Sequence, residues 1–567
     1  MSWAKAVLLA PQVAVRHART EPARTPLLAL RVLPAPVRRM MRGMLLRAGP
    51  VPSAYGRWDE GRRDDALTTV ARAAAGARPR RMRRLAAFTV AVERPDAARP
   101  LLERLPAPDR ARLDALLAAK EGRLRAAVAA AETGAPTRLR RDLRGRLDAL
   151  TWTPPAAPRR APDRGTPGRV LHIVTNALPT TNAGYTVRTH RLATAQRAAG
   201  LDPHVVTRLG FPVAQGARDP RPLVAVDDVP YHRLIPWRLP PAGRAALDAN
   251  IDAASALVEH LRPAVLHAAS NHVNAQIALA LRARHGIPVV YEVRGFLEES
   301  WLSRDASRDP DRDFYRLSRD LETACMAAAD LVVTLGAAMR DEITARGVPA
   351  DRVVVIPNGV DEAFLRPLPD GSARRAALGI APDEAVVGTT TSFYGYEGLD
   401  VLLDAAALLR DAGRPVRLLL VGDGPERAAL ERRAADLGLD AVFPGRVPAD
   451  DVREYHAVLD VFAVPRRDER VCRLVTPLKP LEAMAGGVPV VASDLPALRE
   501  VVAPGERGTL APPNDPATLA TALRTALDDP DTARLRKEAR AWVRTDRTWS
   551  AGVARIREAY ESLGVPC

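Results

Sequence analysis

The sequence has little cysteine and no long apolar run, and each shortage removes a class of protein. Three cysteines in 567 residues, Cys325, Cys472 and Cys567, are scattered and odd in number. They build neither a disulfide framework nor a metal-ligand spacing, which points to a reducing compartment. No stretch reaches the roughly 18 apolar residues that cross a bilayer. The apolar run between Met1 and Gln12 is too short and too weakly flanked for a signal peptide. The expectation is a cytoplasmic protein, at most peripheral on the inner face of a membrane.

Excess charge is missing from most of the chain as well. The formal charge is +16, but residues 1–168 hold about 34 Lys and Arg against about 15 Asp and Glu, roughly +19. The remainder is therefore near neutral, which argues against nucleic acid as its substrate or partner. What is abundant is hydrophobic residue, 47% of the chain, enough for packed cores. The length predicts three or four domain-sized units.

Residues 1–57 read as a basic tail punctuated by proline. One helical candidate at 36–46 sets Arg38, Arg39 and Arg42 beside Met40, Met41, Met44 and Leu45. It fits either an interfacial helix drawn to anionic lipid, at about 1 kcal/mol per nearby cation, or a solvated basic tail. Residues 58–152 read as a helical extension, with apolar positions at helical spacing in 66–70, 84–92, 101–105, 113–128 and 139–150. Such a module suits protein contacts more than chemistry, so residues 1–150 are candidates to meet an anionic membrane surface or a protein partner. Residues 153–168, with five prolines, are a linker.

From Arg169 the texture changes. Short apolar runs at 170–175, 203–207, 264–267, 288–293, 331–335 and 353–356 alternate with helical patterns. After a break near 367–371 the alternation restarts at 386–390, 416–421, 441–443, 461–464 and 488–492. Alternation of this kind predicts parallel sheets covered by helices on both faces. The fold class is α/β: two doubly wound, Rossmann-like sheets at 169–360 and 361–545 facing a cleft, with ligands at the carboxyl ends of the strands. Residues 546–567 form a C-terminal helix free to cross back to the first domain.

The second half carries the more specific motifs. A buried strand runs into Gly422-Asp-Gly424, where missing side chains would let the backbone approach a ligand. Then come Gly445-Arg446, Tyr455-His456, and Val475-Thr476-Pro477-Leu478-Lys479-Pro-Leu-Glu482-Ala-Met-Ala-Gly-Gly. A helix opening at Lys479 would present free N–H groups and about half a positive charge to an anion. This ordered series resembles glycosyltransferase family 4, a retaining family of the GT-B fold, in its subgroup with the Thr-Pro-Leu-Lys-Pro turn. The resemblance runs over about 170–563.

The resemblance implies a nucleoside diphosphate sugar as donor. Glu482 would hold the ribose hydroxyls through charge-assisted hydrogen bonds of about 1.5–3 kcal/mol, and the amides opening its helix would hold the diphosphate. Gly184 and Tyr185, in the loop 179–190, resemble the glycine loop on the opposite wall. The donor-binding set is thus Gly184, Tyr185, Gly422, Gly424, Arg446, Thr476, Pro477, Leu478, Lys479 and Glu482. The catalytic candidates are His267, His272, Arg294 and Lys479. Family members often carry His-x-His after the third long strand, and here Ala269 stands second, so the role passes to His272 or disappears. Glu292 and Arg294 alternate along one strand and read as ligand contacts or as an internal ion pair. Asn358-Gly359 is the expected hinge.

Two departures stand out. The family places a glutamate eight positions before the ribose carboxylate, and this chain has Leu474 there; Asp468 and Glu469 are the possible stand-ins. The usual arginine and lysine of the 389–398 loop are replaced by uncharged residues and Glu397. Cations for the phosphates must then come from Lys479 and Arg294, or from Arg466, Arg467, Arg470 and Arg473. The reaction expected is retaining transfer of a hexose-type unit to a hydroxyl of a glycan or lipid-linked acceptor, with no metal and no cofactor. The alternative is a catalytically weakened module that binds nucleotide or glycan without turnover.

Overall fold

The computed structural model describes residues 2–157, 165–217, 219–305 and 307–565. Within them, strands β1 (Thr166–Val174), β2 (Asp202–Thr207), β3 (Leu223–Val226), β4 (Val229–Arg233), β5 (Pro263–Ala269), β6 (Val289–Val293), β7 (Leu331–Thr334) and β8 (Val353–Val355) form one sheet. Its order is β3-β4-β2-β1-β5-β6-β7-β8. The second sheet uses β9 (Val386–Thr390), β10 (Arg417–Val421), β11 (Ala441–Gly445), β12 (Val461–Val464), β13 (Val490–Ser493) and β14 (Thr509–Ala511), in the order β11-β10-β9-β12-β13-β14. Among the described residues every strand pairing is parallel except β3 with β4. These are the two helix-covered parallel sheets of a GT-B architecture.

Central strands such as Val289–Val293 are buried at every position because helices cover both faces. The β3–β4 hairpin is absent from the sequence reading. Its two-residue turn is Asp227-Asp228, both at positive φ (45° and 60°), where glycine or asparagine is the usual signal.

Helix termini follow local chemistry. Asn271 accepts from Val273 N at 3.3 Å to cap the helix His272–His285, and Gly286, at φ 74°, ends it. The C-terminal helix Trp549–Ser562, capped by Thr548, returns to the first sheet, where Val553, Ile556 and Tyr560 pack with Val170, Leu192 and Val265.

Residues 1–57 are not a tail. Helices Ser2–Thr20, Thr25–Val32, Ala35–Arg47 and Pro50–Asp59 occupy them, and Ala54 and Tyr55 join the apolar core of the helices that follow. The prolines sit mostly at first turns, where the missing N–H is harmless, so they start helices more than they break them.

This helical region is seated on the first sheet's domain. Phe314 N donates to Gly122 O at 2.9 Å, and Gln276 Nε2 donates to Ala149 O at 2.8 Å. Leu150 and Trp152 pack on the first sheet's core. Gly145 and Gly243 bring two backbones together so closely that a Cβ on either would collide with the other chain segment. Leu9, fully buried against Val213 and Ile235, contributes about 2 kcal/mol by removal from water.

Candidate active site

The carboxyl ends of the two sheets meet around one turn. Val475, Thr476 and Leu478 of the second domain lie against three glycines that end or follow strands of the first. A Cβ on Gly184 would meet Leu478 at 3.7 Å, one on Gly295 would meet Val475 at 3.5 Å, and one on Gly336 would meet Thr476 Oγ1 at 3.1 Å. Asn358 Nδ2 donates to Thr476 O at 3.0 Å from the hinge, and Arg446 Nη2 donates to Asn182 O at 2.8 Å from the far wall. Thr476 Oγ1 is buried without a hydrogen-bond partner among the described residues.

Pro477 and Leu478 lead into the helix Lys479–Gly486, which no side chain caps. Its N-terminal amides and partial positive charge are therefore unanswered by the protein at that end. Glu482 stands in its first turn with the side chain 14% exposed, and accepts from Lys479 Nζ at 3.0 Å. Burial raises the pKa of Glu482, with Lys479 opposing the rise. Carboxylate, amine and free amides are thus gathered at one helix mouth opposite Gly184.

The arginine-rich loop that follows β12 is committed to carboxylates. Arg466 donates to both oxygens of Glu397, at 3.1 and 2.9 Å, and to Val475 O at 3.1 Å. The family's basic position in the 389–398 loop is therefore reversed in sign and answered from the neighbouring loop. Arg467 pairs with Asp400, and Arg473 with Asp468 at 2.5 Å. Arg470 crosses to the first domain, reaching Glu299 and Glu342 at 2.6 Å each. Glu500 answers from the same side by accepting from Ala338 N at 2.7 Å. Of the two acidic stand-ins, Asp468 is held below its ordinary pKa by Arg473, whereas burial raises Glu469, whose Oε2 is buried and unpartnered. Leu474, in the place of the family's glutamate, packs into the first domain's apolar cluster, so that position joins the domains.

On the first-domain wall, Arg294 bonds Glu292 (Nε to Oε2, 2.8 Å), Tyr185 O (2.7 Å) and Thr189 Oγ1 (2.7 Å). Its guanidinium fastens the start of the helix Gly184–Ala198 to the end of β6. Glu292 itself meets Arg188 at 2.7 Å and His267 Nε2 at 3.4 Å. His267 is fully buried, with Nδ1 2.7 Å from Tyr560 Oη, and packs against the tilted His172 ring at 4.8 Å between centroids. Burial drives His172 down to about 3, with His267 adding to the effect. His267 therefore belongs to a packed polar network under the cleft.

His272 opens its helix, 3% exposed, with neither ring nitrogen hydrogen-bonded among the described residues. Burial, reinforced by Arg208, lowers it to about 4, so the imidazole is neutral near pH 7. Its backbone N–H donates to Glu322 Oε2 at 2.9 Å.

Gly422 and Gly424 lie where two loops of the second sheet meet. A Cβ on either would run into the loop 391–393, at Thr391 O and Phe393 O, so these glycines let the loops at the carboxyl ends of β9 and β10 approach closely. Arg188 went unmarked in the sequence reading. Its signal was an arginine one helical turn inside the glycine-loop helix, a position that periodicity alone assigns to an ordinary polar face.

Comparison with known proteins bears on this geometry. A model described as glycosyl transferases group 1 matches residues 384–529, and one described as glycosyl transferase 4-like domain matches residues 183–359. A D-inositol 3-phosphate glycosyltransferase of Thermomonospora curvata is 30% identical over 306 residues, 51% of this chain and 69% of that protein. A GDP-mannose-dependent alpha-(1-6)-phosphatidylinositol monomannoside mannosyltransferase of Mycolicibacterium smegmatis is 34% identical over 236 residues, 41% of this chain and 62% of that protein. The chain spans 58% and 62% of the length of two of the curated relatives it matches. Among solved structures, the sucrose-phosphate synthase of Thermosynechococcus elongatus aligns with a TM-score of 0.57 at 22% identity, over 70% of this chain and 99% of that one.

Proposed function

Because the chain belongs to the group 1, family 4-like glycosyltransferases, we propose that it moves a hexose-type sugar from a nucleoside diphosphate donor to a hydroxyl acceptor, retaining anomeric configuration. The observation that carries this reading is Glu482 beside the uncapped start of Lys479–Gly486, opposite Gly184. The donor's ribose hydroxyls bond the Glu482 carboxylate, and its diphosphate takes the helix amides with the Lys479 ammonium. As the sugar–oxygen bond breaks, charge grows on the leaving diphosphate, where preorganised donors act most strongly. The acceptor hydroxyl attacks on the face the diphosphate leaves.

The Thr-Pro-Leu-Lys-Pro turn assigns the chain to the subgroup that carries leucine in place of the earlier glutamate. The acceptor is a cell-envelope glycan or a lipid-linked group met at the inner face of a membrane. The names of the two relatives, an inositol phosphate glycosyltransferase and a phosphatidylinositol mannoside mannosyltransferase, support that class. Among the described residues no helix is long and apolar enough to cross a membrane.

Leu474 and the fully paired arginines favour one rival, a module that binds nucleotide without turnover. Purified full-length chain separates the two when a panel of nucleotide sugars is screened by thermal shift and then assayed for donor hydrolysis. A stabilising donor that is hydrolysed supports transfer. Stabilisation by nucleotide with no hydrolysis of any sugar overturns it.

A further inference from the structure

The helix Ser2–Thr20 borders a cavity of about 530 Å³ at the carboxyl ends of β2 and β4 and lends it Lys5. Gln12 clamps the loop beyond β4, donating to Trp237 O at 3.1 Å and accepting from Leu239 N at 3.2 Å. Arg16 donates to Leu239 O at 3.4 Å and also to Pro240 O. Leu209, Leu234, Ala249 and Ala253 give the cavity apolar walls. Its size lies within the range of roughly 300–1,000 Å³ typical of small-molecule sites.

The charge in it has one sign. Arg233, Lys5 and Arg238 line the cavity, and none of its described lining residues is acidic. Arg233 is 3% exposed, yet its Nη2 has no hydrogen-bond acceptor among the described residues. The carboxylate near it, Asp219, lies 2.9 Å from Nη1 but is also paired with Arg221 at 2.7 Å. One acid thus faces two guanidiniums, and a buried cation with an idle donor is costly unless something anionic joins it.

The segment after β2 that lends Leu209 to the cavity also reaches the cleft. In the sheet, β4 stands two strands from β1, about 10 Å at the usual strand spacing. Gln215 Nε2, from the loop beyond β2, donates to Asn176 Oδ1 at 2.8 Å, and Asn176 Nδ2 donates to Tyr185 Oη at 3.0 Å in the glycine loop.

We propose that this cavity is an acceptor subsite for an anionic amphiphile, with Arg233 Nη2 donating to a phosphate or carboxylate and the apolar walls holding the attached chain. It rests on the transfer reading for its place in the reaction, and it gives the first helix a purpose as one wall of the subsite.

The test is calorimetric titration of the full chain with dodecyl phosphate below its critical micelle concentration, with dodecanol and with inorganic phosphate. Dodecyl phosphate should bind at least about tenfold more tightly than either of the others, the contribution of one charge-assisted hydrogen bond added to apolar burial. Arg233→Met should remove that advantage. Ala249→Phe, which fills the cavity from the helix Arg244–Leu261, should block binding with the guanidinium intact. Should neither variant fold, hydrogen exchange on the wild type decides: dodecyl phosphate should slow the amides of 234–239. Equal binding of dodecanol means an apolar hole, equal binding of inorganic phosphate means a free-anion site, and no slowing at 234–239 means binding elsewhere; each overturns the proposal. Donor hydrolysis on the same samples is read separately, so a chain that turns over donor yet ignores dodecyl phosphate loses the subsite alone.

Discussion

Arg188 and Glu292, both fully buried, meet at 2.7 Å between the hinge and the glycine loop. From Arg188 the bonds run to Ile356 O (2.8 Å), Pro357 O (3.0 Å) and Asn358 Oδ1 (3.0 Å). From Glu292 they run through Arg294 to Tyr185 O. One carboxylate therefore couples the segment that joins the two domains to the loop that faces the helix Lys479–Gly486.

Removing one partner of a buried ion pair leaves the other uncompensated, at a cost of about 3–5 kcal/mol. Glu292→Gln should lower the unfolding temperature by several degrees and raise the donor KM. Thermal unfolding with donor kinetics checks both, and a variant indistinguishable from wild type would show that the network does not position the loop.

Glu482 has Lys479 as its hydrogen-bond partner and sits partly exposed at a helix mouth. Its loss should barely change folding. Glu482→Ala should weaken nucleotide-sugar binding at least about tenfold, as for one charged hydrogen bond. Titration calorimetry giving wild-type affinity would refute the ribose assignment.

Burial holds His272 near 4 and both His172 and His456 near 3, against about 6.5 in an unfolded chain. Their folded pKa values are depressed, so the unfolded state takes up protons first as the pH falls. Stability is fully present above about pH 6.5 and declines below it, by about 3 kcal/mol for His272 alone by pH 4. Replacing that ring by His272→Gln should flatten the fall in unfolding free energy between pH 6.5 and 4; an unchanged slope would mean the ring is hydrated.

Glu322 behaves in the opposite sense. Burial pushes it up to about 8, while Tyr291 Oη and His272 N both donate to it. The unfolded carboxyl ionises near 4.3 and the folded one does not, so stability is full at low pH and is lost as the pH rises towards 8. Glu322→Gln keeps an amide oxygen for the His272 N–H and turns its NH2 to the Tyr291 hydroxyl, which then accepts, and should stabilise the protein more at pH 8 than at pH 5. Equal effects at the two pH values would contradict the neutral carboxyl.

The helical region packs into the first domain, so residues 1–150 should matter to its stability. Their removal strips Leu150 from the first sheet's core and breaks the Gln276–Ala149 bond. The truncated chain should aggregate or melt well below the full one by light scattering and calorimetry; a monodisperse, active 151–567 fragment would show the seat to be incidental.

Some of this was legible because it is local. Continuous apolar runs such as Val289–Val293 and Val461–Val464 specify buried parallel strands wherever the chain takes them. The helix mouth with Lys479 and Glu482 is written in consecutive residues. The Gly184 turn, the Asn358-Gly359 turn and the C-terminal helix were likewise visible as breaks and caps.

What the sequence determined by itself was therefore the pair of sheets and a helix start that sets Lys479 beside Glu482, because each depends on spacing within a few turns. Tertiary structure decided the rest. It paired Arg466 with Glu397 and Arg470 with Glu299, made Leu474 an interdomain contact, and turned His267 inward to Tyr560. It also folded the N-terminal helices down over β2 and β4. Periodicity tells a helix which face must leave water; only the path of the whole chain tells it which surface will cover that face.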